Sequence, residues 1–516
     1  MMTLLRLVHT MSFSSFTQSR FYRALKVYLI SSSVVLHLLV VVILAQFVSG
    51  FLASGPTFAQ ALSNNGNNIK QNYPSLEPLG SMMLSVADKQ GASDYYDVPF
   101  DVSDWPSVGP RELSYTEMVP KSLHDAFLYV SNVKELELAL RNAKPRSVIV
   151  IKPGVYLLKS KRVGLSKVDT TAETPIYLVA EKTGAVTIEL DTSEGFYVDK
   201  PHWHFMGINF KGVCASDSRC HHAFHVVGGG SFFHLAHSQL VDFSSAIKVN
   251  EYKGVYPDSG VIAYNHIYNT HPRNTRSPVN PINMDQGNDW IATHNIIRDF
   301  LKYGGNRISY GAYFKGGAVG GEISNNLVIC ETGESRARGS IVGLSLGGGG
   351  MNIKHRRENS EFETKDIIVR NNVVMHCTDV GLYVNKGQDS VIYNNTFYNT
   401  YGLDLRFPES SGNNVFNNVI NGKIRKRDNG TGKLSNNVVF DRDYWSGKNR
   451  LQQIYSEPQN GKLEILNPEA VEALMDTTEI PLNQRESFTD FCGQPITPPL
   501  LAGAIQLGSR CFGSTK

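Results

Sequence analysis

The 516-residue chain lacks an excess of charge of either sign, with 50 Lys and Arg against 47 Asp and Glu. This balance argues against a protein that binds nucleic acid through a broad basic surface. The sequence also lacks CxxC, HExxH and other His/Cys spacings, so it gives no case for a structural zinc site. Helical periodicity is scarce as well, which argues against a helical repeat protein.

Long apolar runs are almost absent, and the exception lies near the N-terminus. A basic segment up to Lys26 precedes the uncharged run Val27–Leu52, which is long enough to span a bilayer. Ala59-Gln60-Ala61 then matches a small-x-small cleavage pattern. We predict that residues 1–61 are a signal peptide, with an uncleaved anchor as the alternative. Either way the rest of the chain is exported, to a periplasmic, cell-surface or extracellular location, and meets the membrane only through this segment.

Cysteine is also scarce, with six residues, and export permits disulfides. Spacing alone does not assign the pairs. Three pairings are suggested by proximity in the chain or by position in the repeat: Cys214 with Cys220, Cys330 with Cys377, and Cys492 with Cys511.

What the chain does contain is one pattern written seven times: an apolar residue, two variable residues, Asn, one variable residue, and an apolar residue. A short unit repeated in this way predicts a solenoid, and strand-like triplets around each Asn favour a parallel β-helix. We expect each Asn to tolerate a left-handed backbone at a corner and to bond the Asn of the next coil. Ordinary turn Asn residues are the alternative. The copies are Ile262/Asn265/Ile267, Ala292/Asn295/Ile297, Ile323/Asn326/Val328, Val369/Asn372/Val374, Ile392/Asn395/Phe397, Val415/Asn418/Ile420 and Leu434/Asn437/Val439.

The segments around the repeat predict the rest of the architecture. Residues 62–125 are rich in Ser, Asn, Pro and Gly and form an N-terminal extension. Residues 126–440 form the β-helix, which opens with a helical pattern at Ser131–Ala143 that caps the end of its core. Residues 441–516 form a C-terminal extension that packs on the helix.

Upstream of most of these Asn corners lies a second alternating segment. Its second and fourth residues are apolar and face the core, so its third and fifth residues face outward. Successive coils lie about 4.8 Å apart, so the outward residues form a polar groove suited to an extended polymer. A plain solvent-facing sheet is the alternative. One column contains His225, Lys248, Asn283, Tyr313, Ser345, Tyr383 and Asp404, and the other contains Val227, Asn250, Asp285, Lys315, Gly347, Asn385 and Arg406.

The groove carboxylates argue against a hydrolase. Asp285 and Asp404 are four coils apart, roughly 19 Å, whereas glycosidase carboxylates lie at most about 9.5 Å apart. A lyase acting on a uronic acid needs instead a base and a positive charge for the anion that forms.

Residues for such a lyase are present. We predict Lys315 as the base and Tyr313 as the proton donor, with Tyr383 as an alternative donor. Arg336 or Arg338 would bind the carboxylate, and Asp285 with Asn283 would hold a calcium ion. The predicted substrate-binding residues are Lys248, Asn283, Tyr383, Asn385, Lys386, Arg406 and His225.

The chain resembles the pectin-lyase-like right-handed parallel β-helix superfamily from about Val133 to Val439, with Ser147–Tyr156 similar to its opening strand and turn. Within it, Phe314-Lys315-Gly316 followed by Arg336 and Arg338 resembles the alginate lyase and chondroitinase B family. The resemblance implies an all-β fold, a Lys base, a downstream Arg and calcium at the uronate carboxylate. The strand before Lys315 has no acidic metal ligand, which is a departure from that family. The glycine-rich segments also resemble a group of uncharacterised exported β-helix proteins.

These observations predict a secreted, monomeric polysaccharide lyase that cleaves an anionic, uronate-containing glycan by β-elimination. Three alternatives stay open on the same fold: a non-catalytic glycan-binding or adhesin-type protein, a uronate C5-epimerase, and a glycoside hydrolase.

Overall fold

The structure is a computed structural model, and its described residues are 69, 74–87, 104–332, 339–348, 351–440, 451, 454–458, 462–471, 489–496, 501–509 and 511. The predicted signal peptide or anchor lies outside them. The chain forms two units, Met1–Ala87 and Asp88–Lys516. The first contains a 3-10 turn at Pro74–Leu76 followed by the helix Glu77–Ala87. Within the described ranges, every helix falls short of the length and apolarity that a membrane crossing requires.

The second unit is a right-handed parallel β-helix, as predicted. Its coils contribute one strand to each of three long sheets, and every strand pair within those sheets is parallel. Sheet 1 contains Phe127–Val130, Val148–Ile151, Ile176–Ala180, Trp203–Met206, His234–Ala236, Val261–Ala263, Ile291–Thr293, Glu322–Ser324, Ile368–Arg370, Val391–Tyr393, Asn414–Phe416 and Lys433–Ser435. Sheet 2 contains Val163–Gly164, Phe196–Val198, Phe224–Val227, Ile247–Asn250, Ile282–Asp285, Ile308–Lys315, Ser340–Leu346, Leu382–Asn385, Gly402–Arg406 and Lys423–Arg427. Sheet 3 contains Gly154–Lys159, Val186–Asp191, Ile208–Gly212, Gln239–Val241, His266–Tyr268, Ile296–Arg298, Leu327–Ile329, Val373–Met375, Thr396–Tyr398, Val419–Asn421 and Val438–Phe440.

Smaller elements decorate these sheets. A three-stranded parallel sheet joins Ala318–Val319, Thr364–Lys365 and Gly387–Gln388, and an antiparallel pair joins Tyr455–Glu457 to Lys462–Ile465. Among the described residues of this unit, the helices are Tyr115–Met118 and Val133–Asn142, and the 3-10 turns are Lys121–Leu123, Ile353–His355, Arg357–Asn359 and Pro468–Ala470.

The predicted capping helix is Val133–Asn142. It begins at Asn132, whose side chain accepts a hydrogen bond from the Glu135 amide. Leu136 and Leu140 on one face are fully buried and join the main core, so the helix covers the open end of the first coil.

The core is a stack of inward side chains that the strands of successive coils contribute in register. The alternation of apolar and polar residues sends the apolar ones inward because successive side chains of a strand point to opposite faces. In sheet 1 this row is fully buried and contains Leu178, Phe205, Leu235, Ile262, Ala292, Ile323, Val369, Ile392 and Val415.

The repeated Asn residues form a buried ladder at the corner between sheets 1 and 3. The Asn265 side-chain oxygen accepts from the Ser238 amide, and its side-chain nitrogen donates to the Asn295 oxygen at 3.0 Å. The same pair of bonds continues through every copy to Asn437. The prediction that each ladder Asn has a left-handed backbone is wrong by one residue. The residue before each Asn, such as Tyr264 at φ 56°, adopts that conformation instead. That residue makes the corner, which leaves the Asn side chain pointing along the axis.

Disulfides and the C-terminal segment complete the unit. Cys330–Cys377 joins adjacent coils, Cys214–Cys220 closes a short loop, and Cys492–Cys511 joins two parts of the C-terminal segment. In that segment Phe491, Leu501 and Ile505 pack on outward side chains of sheet 3, among them Leu327 and Val373.

Candidate functional site

The outward residues of sheet 2 form rows in the predicted register. His225 pairs with Lys248, which pairs with Asn283, and the row continues to Asp404. In the second column Asp285 pairs with Lys315, and Asn385 with Arg406. These side chains therefore share one face, although many of them are more buried than an open solvent face would allow.

Lys248, Asp285 and Lys315 meet on this face. One oxygen of Asp285, Oδ2, lies 3.1 Å from Lys248 Nζ and 3.0 Å from Lys315 Nζ. The side chains are 18, 9 and 15% exposed for Lys248, Asp285 and Lys315, respectively. A single carboxylate thus bridges two poorly hydrated ammonium groups, and we refer to the three residues as the lysine–aspartate bridge.

The surroundings of Lys248 affect its protonation. Burial lowers the pKa of Lys248 from its ordinary value, the Asp285 carboxylate opposes that change, and the positive charge of Lys315 adds to it. Lys248 is therefore the amine of the bridge whose neutral, proton-accepting form is favoured by its position. Lys315 was the predicted base, and Lys248 was predicted only to bind substrate.

The other oxygen of Asp285, Oδ1, is buried and has no hydrogen-bond partner among the described residues. It faces the backbone of Gly316, where φ is +78° and a Cβ would lie 2.1 Å from this oxygen. Gly316 is thus required both by its left-handed backbone and by the close approach of Asp285.

A strap formed by residues 351–363 packs over the ends of these strands. Arg357 donates to both oxygens of Asp258, at 2.6 and 3.0 Å, and its amide bonds the Gly316 carbonyl. Arg356 and Glu363, 3 and 1% exposed, form an ion pair at 3.2 Å. Glu363 also accepts from the Gly316 amide at 2.9 Å. Burial raises the pKa of Glu363, although this bond and Arg356 oppose the change. The strap therefore fixes the turn that follows Lys315.

Tyr313, the predicted proton donor, is buried, and its hydroxyl donates to the Gly348 carbonyl at 2.5 Å. Its ring stacks on Tyr310 with centroids 4.6 Å apart. Burial, with Tyr310 adding, raises the pKa of Tyr313. Because that proton is already committed to a backbone carbonyl, the geometry disfavours the role predicted for this residue.

His225 lies at the other side of Lys248. Its Nε2 is 2.9 Å from Asn250 Oδ1, and its Nδ1 is 3.7 Å from a Glu194 oxygen. Burial lowers the pKa of His225, while the contacts with Asn250 and Glu194 oppose the change. Both ring nitrogens therefore face protein groups.

The remaining predicted residues are spread along the sheet. Arg406 donates to the Tyr383 hydroxyl at 2.8 Å, and Asn385 is buried beside it in register. Lys386 follows the strand with φ 64° and bonds Glu409 at 2.7 Å, so it does not line the columns. Arg336 and Arg338 lie outside the described residues.

The predicted calcium ligands do not fit a calcium site. Asp285 Oδ2 is already bound to two ammonium groups, and Asn283 Oδ1 lies 3.5 Å from Lys248 Nζ. Two cations beside the same oxygen oppose a third, divalent one. Within the described ranges, one acidic and sulfur group is close enough to hold a metal, Asp490 with Cys492 and Cys511, but both cysteines are in a disulfide.

Several residues of this face were missed in the sequence. Asp404 is buried and bonded by Arg425 and Arg427, both on the last strand of the sheet. The alternating Lys-Ile-Arg-Lys-Arg of Lys423–Arg427 was a usable signal for these two. No sequence signal predicted the strap, because its contacts join residues about 100 positions apart, such as Arg357 and Asp258.

Comparisons with known proteins found several that are similar to this chain. The chain is 24% identical over 307 residues to pectate lyase L of Thermoclostridium stercorarium. The matched region covers 54% of this chain and 22% of that protein. Among solved structures, it is similar to pectate lyase Pel9A, with 14% identity, a TM-score of 0.44, and coverage of 78% of this chain and 99% of that one. It is also similar to a PL6 family polysaccharide lyase of Pseudopedobacter saltans, with 16% identity, a TM-score of 0.31, and coverage of 66% of this chain and 96% of that one. No family model matches the chain.

Proposed function

We propose that this protein is a polysaccharide lyase that cleaves an acidic, uronate-containing glycan by β-elimination at the lysine–aspartate bridge. The observation that carries the proposal is the pairing of two lysines through Asp285 on an outward face, with the pKa of Lys248 lowered. A base and a fixed positive charge, side by side, are what proton removal next to a carboxylate needs.

In the proposed step, neutral Lys248 takes the proton from the sugar carbon next to the carboxylate. The C–H electron pair forms the carbon–carbon double bond, the bond from the neighbouring carbon to the bridging oxygen breaks, and water protonates that oxygen. The Lys315 ammonium stabilises the negative charge that develops on the carboxylate, and Asp285 keeps both side chains in place. This assignment exchanges the roles first predicted for the two lysines.

Two further observations support the proposal. The curated relative described above carries the name of a pectate lyase, which agrees with the class of reaction. The three disulfides of the described chain suit an oxidising compartment, where an exported glycan-cleaving enzyme would act.

The proposal is tested by incubating the protein with alginate, chondroitin and pectate and recording the ultraviolet absorbance of the unsaturated product. We expect product from one of these polymers. Lys248→Arg, whose guanidinium stays protonated and cannot accept a proton, should lower the rate about 100- to 10,000-fold because a positioned base contributes that much. Lys315→Arg should lower it less, about tenfold, because the charge is kept. Lys121→Arg, on the exposed turn Lys121–Leu123, is the control.

An unchanged rate in Lys248→Arg would remove that residue as the base. Exchange of the sugar hydrogen with deuterated solvent, without absorbance, would identify an epimerase instead. A protein that binds the polymers and changes none of them would be a glycan-binding protein, an outcome favoured by the fact that the Tyr313 hydroxyl and both ammonium groups are bound within the protein.

A further inference from the structure

An aromatic patch lies on the outer face of sheet 2, beyond the lysine–aspartate bridge. Tyr310 and Tyr383 are half-buried there, and they pack against the buried Val342, Val380 and Tyr401. Tyr310 pairs with Val342 in register, and Tyr383 lies two strands beyond Tyr313. We call Tyr310 and Tyr383, with these three supporting side chains, the aromatic platform.

The platform is rigid because each ring is held on one side. Tyr310 stacks on Tyr313, with an angle of 12° between the rings, and Tyr313 is bonded through its hydroxyl to Gly348. The Tyr383 hydroxyl accepts a hydrogen bond from Arg406. Ser345, between Tyr313 and Tyr383 in the row, is fully buried.

Positive charge flanks the platform at both ends. At one end the Lys315 Nζ lies 5.5 Å from the centre of the Tyr313 ring. At the other end Arg406 is 32% exposed; it bonds Asp428 and Tyr383 through two of its five N–H groups, which leaves donors for an anion within the described structure. Lys315 and Arg406 are three strand steps apart in their column, or roughly 14 Å.

This arrangement fits one kind of ligand. The apolar face of a pyranose ring packs on an aromatic ring, and a carboxylate is bound by a guanidinium with two parallel donors. A ligand that meets Lys315 and Arg406 together must carry two anions about three strand steps, or roughly 14 Å, apart, which exceeds a single sugar. Rings of an acidic oligosaccharide between those anions would lie over the platform.

We propose that the aromatic platform and Arg406 form a second sugar-binding subsite, which selects acidic oligosaccharides long enough to reach from Lys315 to Arg406. The inference takes its acidic substrate class from the proposed function. It adds that length, as well as charge, is recognised, and that Tyr383 and Arg406 act two and three strand steps beyond Lys315.

The test measures dissociation constants by calorimetry in the Lys248→Arg background, which prevents turnover. The ligands are the dimer and the pentamer of the uronate whose polymer the protein binds or cleaves best, and the methyl-esterified pentamer. We expect the pentamer to bind at least tenfold more tightly than the dimer and the methyl ester. Tyr383→Ala should weaken pentamer binding about tenfold and dimer binding less than twofold, and Tyr383→Phe, which keeps the ring, should stay within threefold.

Tyr129→Ala, on the first strand of sheet 1, is the matched control and should leave both constants unchanged. Thermal unfolding of each variant verifies that it folds. Equal losses for dimer and pentamer in Tyr383→Ala, no loss for either, or no pentamer binding in the background protein would overturn the subsite. If the wild-type protein cleaves no polymer but binding still depends on length, the subsite stands and the proposed function is wrong. If the protein cleaves a polymer but binding does not depend on length, the proposed function stands and the subsite is wrong.

Discussion

At the scale of single residues, the Asp285 carboxylate determines what the two lysines beside it can do. Its Oδ2 accepts from both ammonium groups, while Oδ1 is buried against Gly316 and has no hydrogen-bond partner among the described residues. A buried oxygen without a donor costs free energy, so this arrangement of Asp285 lowers the stability of the fold.

The lowered pKa of Lys248 gives a pH dependence of activity. The proposed base acts in its neutral form, so the rate should rise as pH increases through the pKa of Lys248, and the midpoint of this rise should lie below the ordinary value of 10.5. Initial rates between pH 6 and 10 check this. A Lys248→Arg protein should lose the rise together with most of its activity, and a wild-type profile that is flat or falls with pH would contradict the assignment.

Gly316→Ala should disrupt the bridge. The new Cβ would lie 2.1 Å from Asp285 Oδ1, so Asp285 must move away from at least one lysine. We expect activity to fall at least tenfold and the free energy of unfolding to fall by about 2–4 kcal/mol. Urea titration and initial rates measure both effects.

Gly184→Ala is the matched control for that variant, because Gly184 has φ +77° and nothing within 4 Å of the position of a Cβ. It carries the same backbone cost of about 1–2 kcal/mol without the clash. Equal losses in the two variants would show that the backbone alone, and not Asp285, makes Gly316 necessary.

The choice between the two lysines shows where sequence reasoning reaches its limit. The period of two in the strands is enough to place Lys248, Asp285 and Lys315 on one face, and the structure confirms that face. The lowered pKa of Lys248 depends on burial and on the distances within the bridge, and no sequence pattern carries those. The engagement of the Tyr313 hydroxyl by Gly348 is hidden for the same reason.

At the scale of elements, the Asn ladder holds successive coils in register. Asn326 accepts from the amide and the side chain of Asn295, and donates to Asn372 Oδ1 and to the Ala292 carbonyl. All four bonds are buried, so they are shielded from competition by water.

Asn326→Ala should therefore lower the free energy of unfolding by on the order of 4 kcal/mol, since four buried hydrogen bonds are lost and several groups are left without partners. Urea titration measures the loss. The neighbouring Asn325→Gly is the control: Asn325 has φ 53° and its side chain donates to the Asp490 carbonyl, so this variant should cost about 1 kcal/mol or less. A loss in Asn326→Ala as small as in the control would show that the ladder is not a major source of stability.

The ladder and the strap differ in how far sequence predicts them. Each ladder Asn sits at a fixed offset from two apolar residues, so seven copies predict the coils and their order. The strap, residues 351–363, has no apolar period. Its Arg357 binds Asp258 and the Gly316 carbonyl, which lie far from it in the sequence. Elements built from local repetition are visible in the sequence, whereas elements held by long-range polar contacts are not.

At the scale of the whole molecule, several buried histidines couple stability to pH. Burial, with smaller effects of His234 and His202, lowers the pKa of His204 to about 3, and its ring stacks on Tyr177. Burial likewise lowers the pKa of His222 and His266 to about 3, and that of His234, His237 and His294 to about 4.

These histidines should make the fold sensitive to acid. The unfolded chain binds protons below about pH 6.5 while the folded chain does not until pH 3 to 4, so stability is fully present above 6.5 and is lost as pH falls towards those values. His204→Phe keeps the stacked ring and removes one such group. Its unfolding free energy should fall less steeply between pH 6 and 4 than that of the wild type, by at most about 1.4 kcal/mol per pH unit. Parallel slopes would contradict this role for His204.

The spacing of the ladder has one last consequence. Asn372, Asn395 and Asn418 follow one another at intervals of 23 residues, and within the three long sheets the strands of each of these coils pair only with those of the coil before it and the coil after it. A tandem copy of 23 residues would therefore enter as a complete extra turn, with no seam in the hydrogen bonding. Inserted between Lys315 and Arg406, it would increase the distance between these two side chains by one strand spacing, about 4.8 Å. The protein should then select a correspondingly longer acidic oligosaccharide.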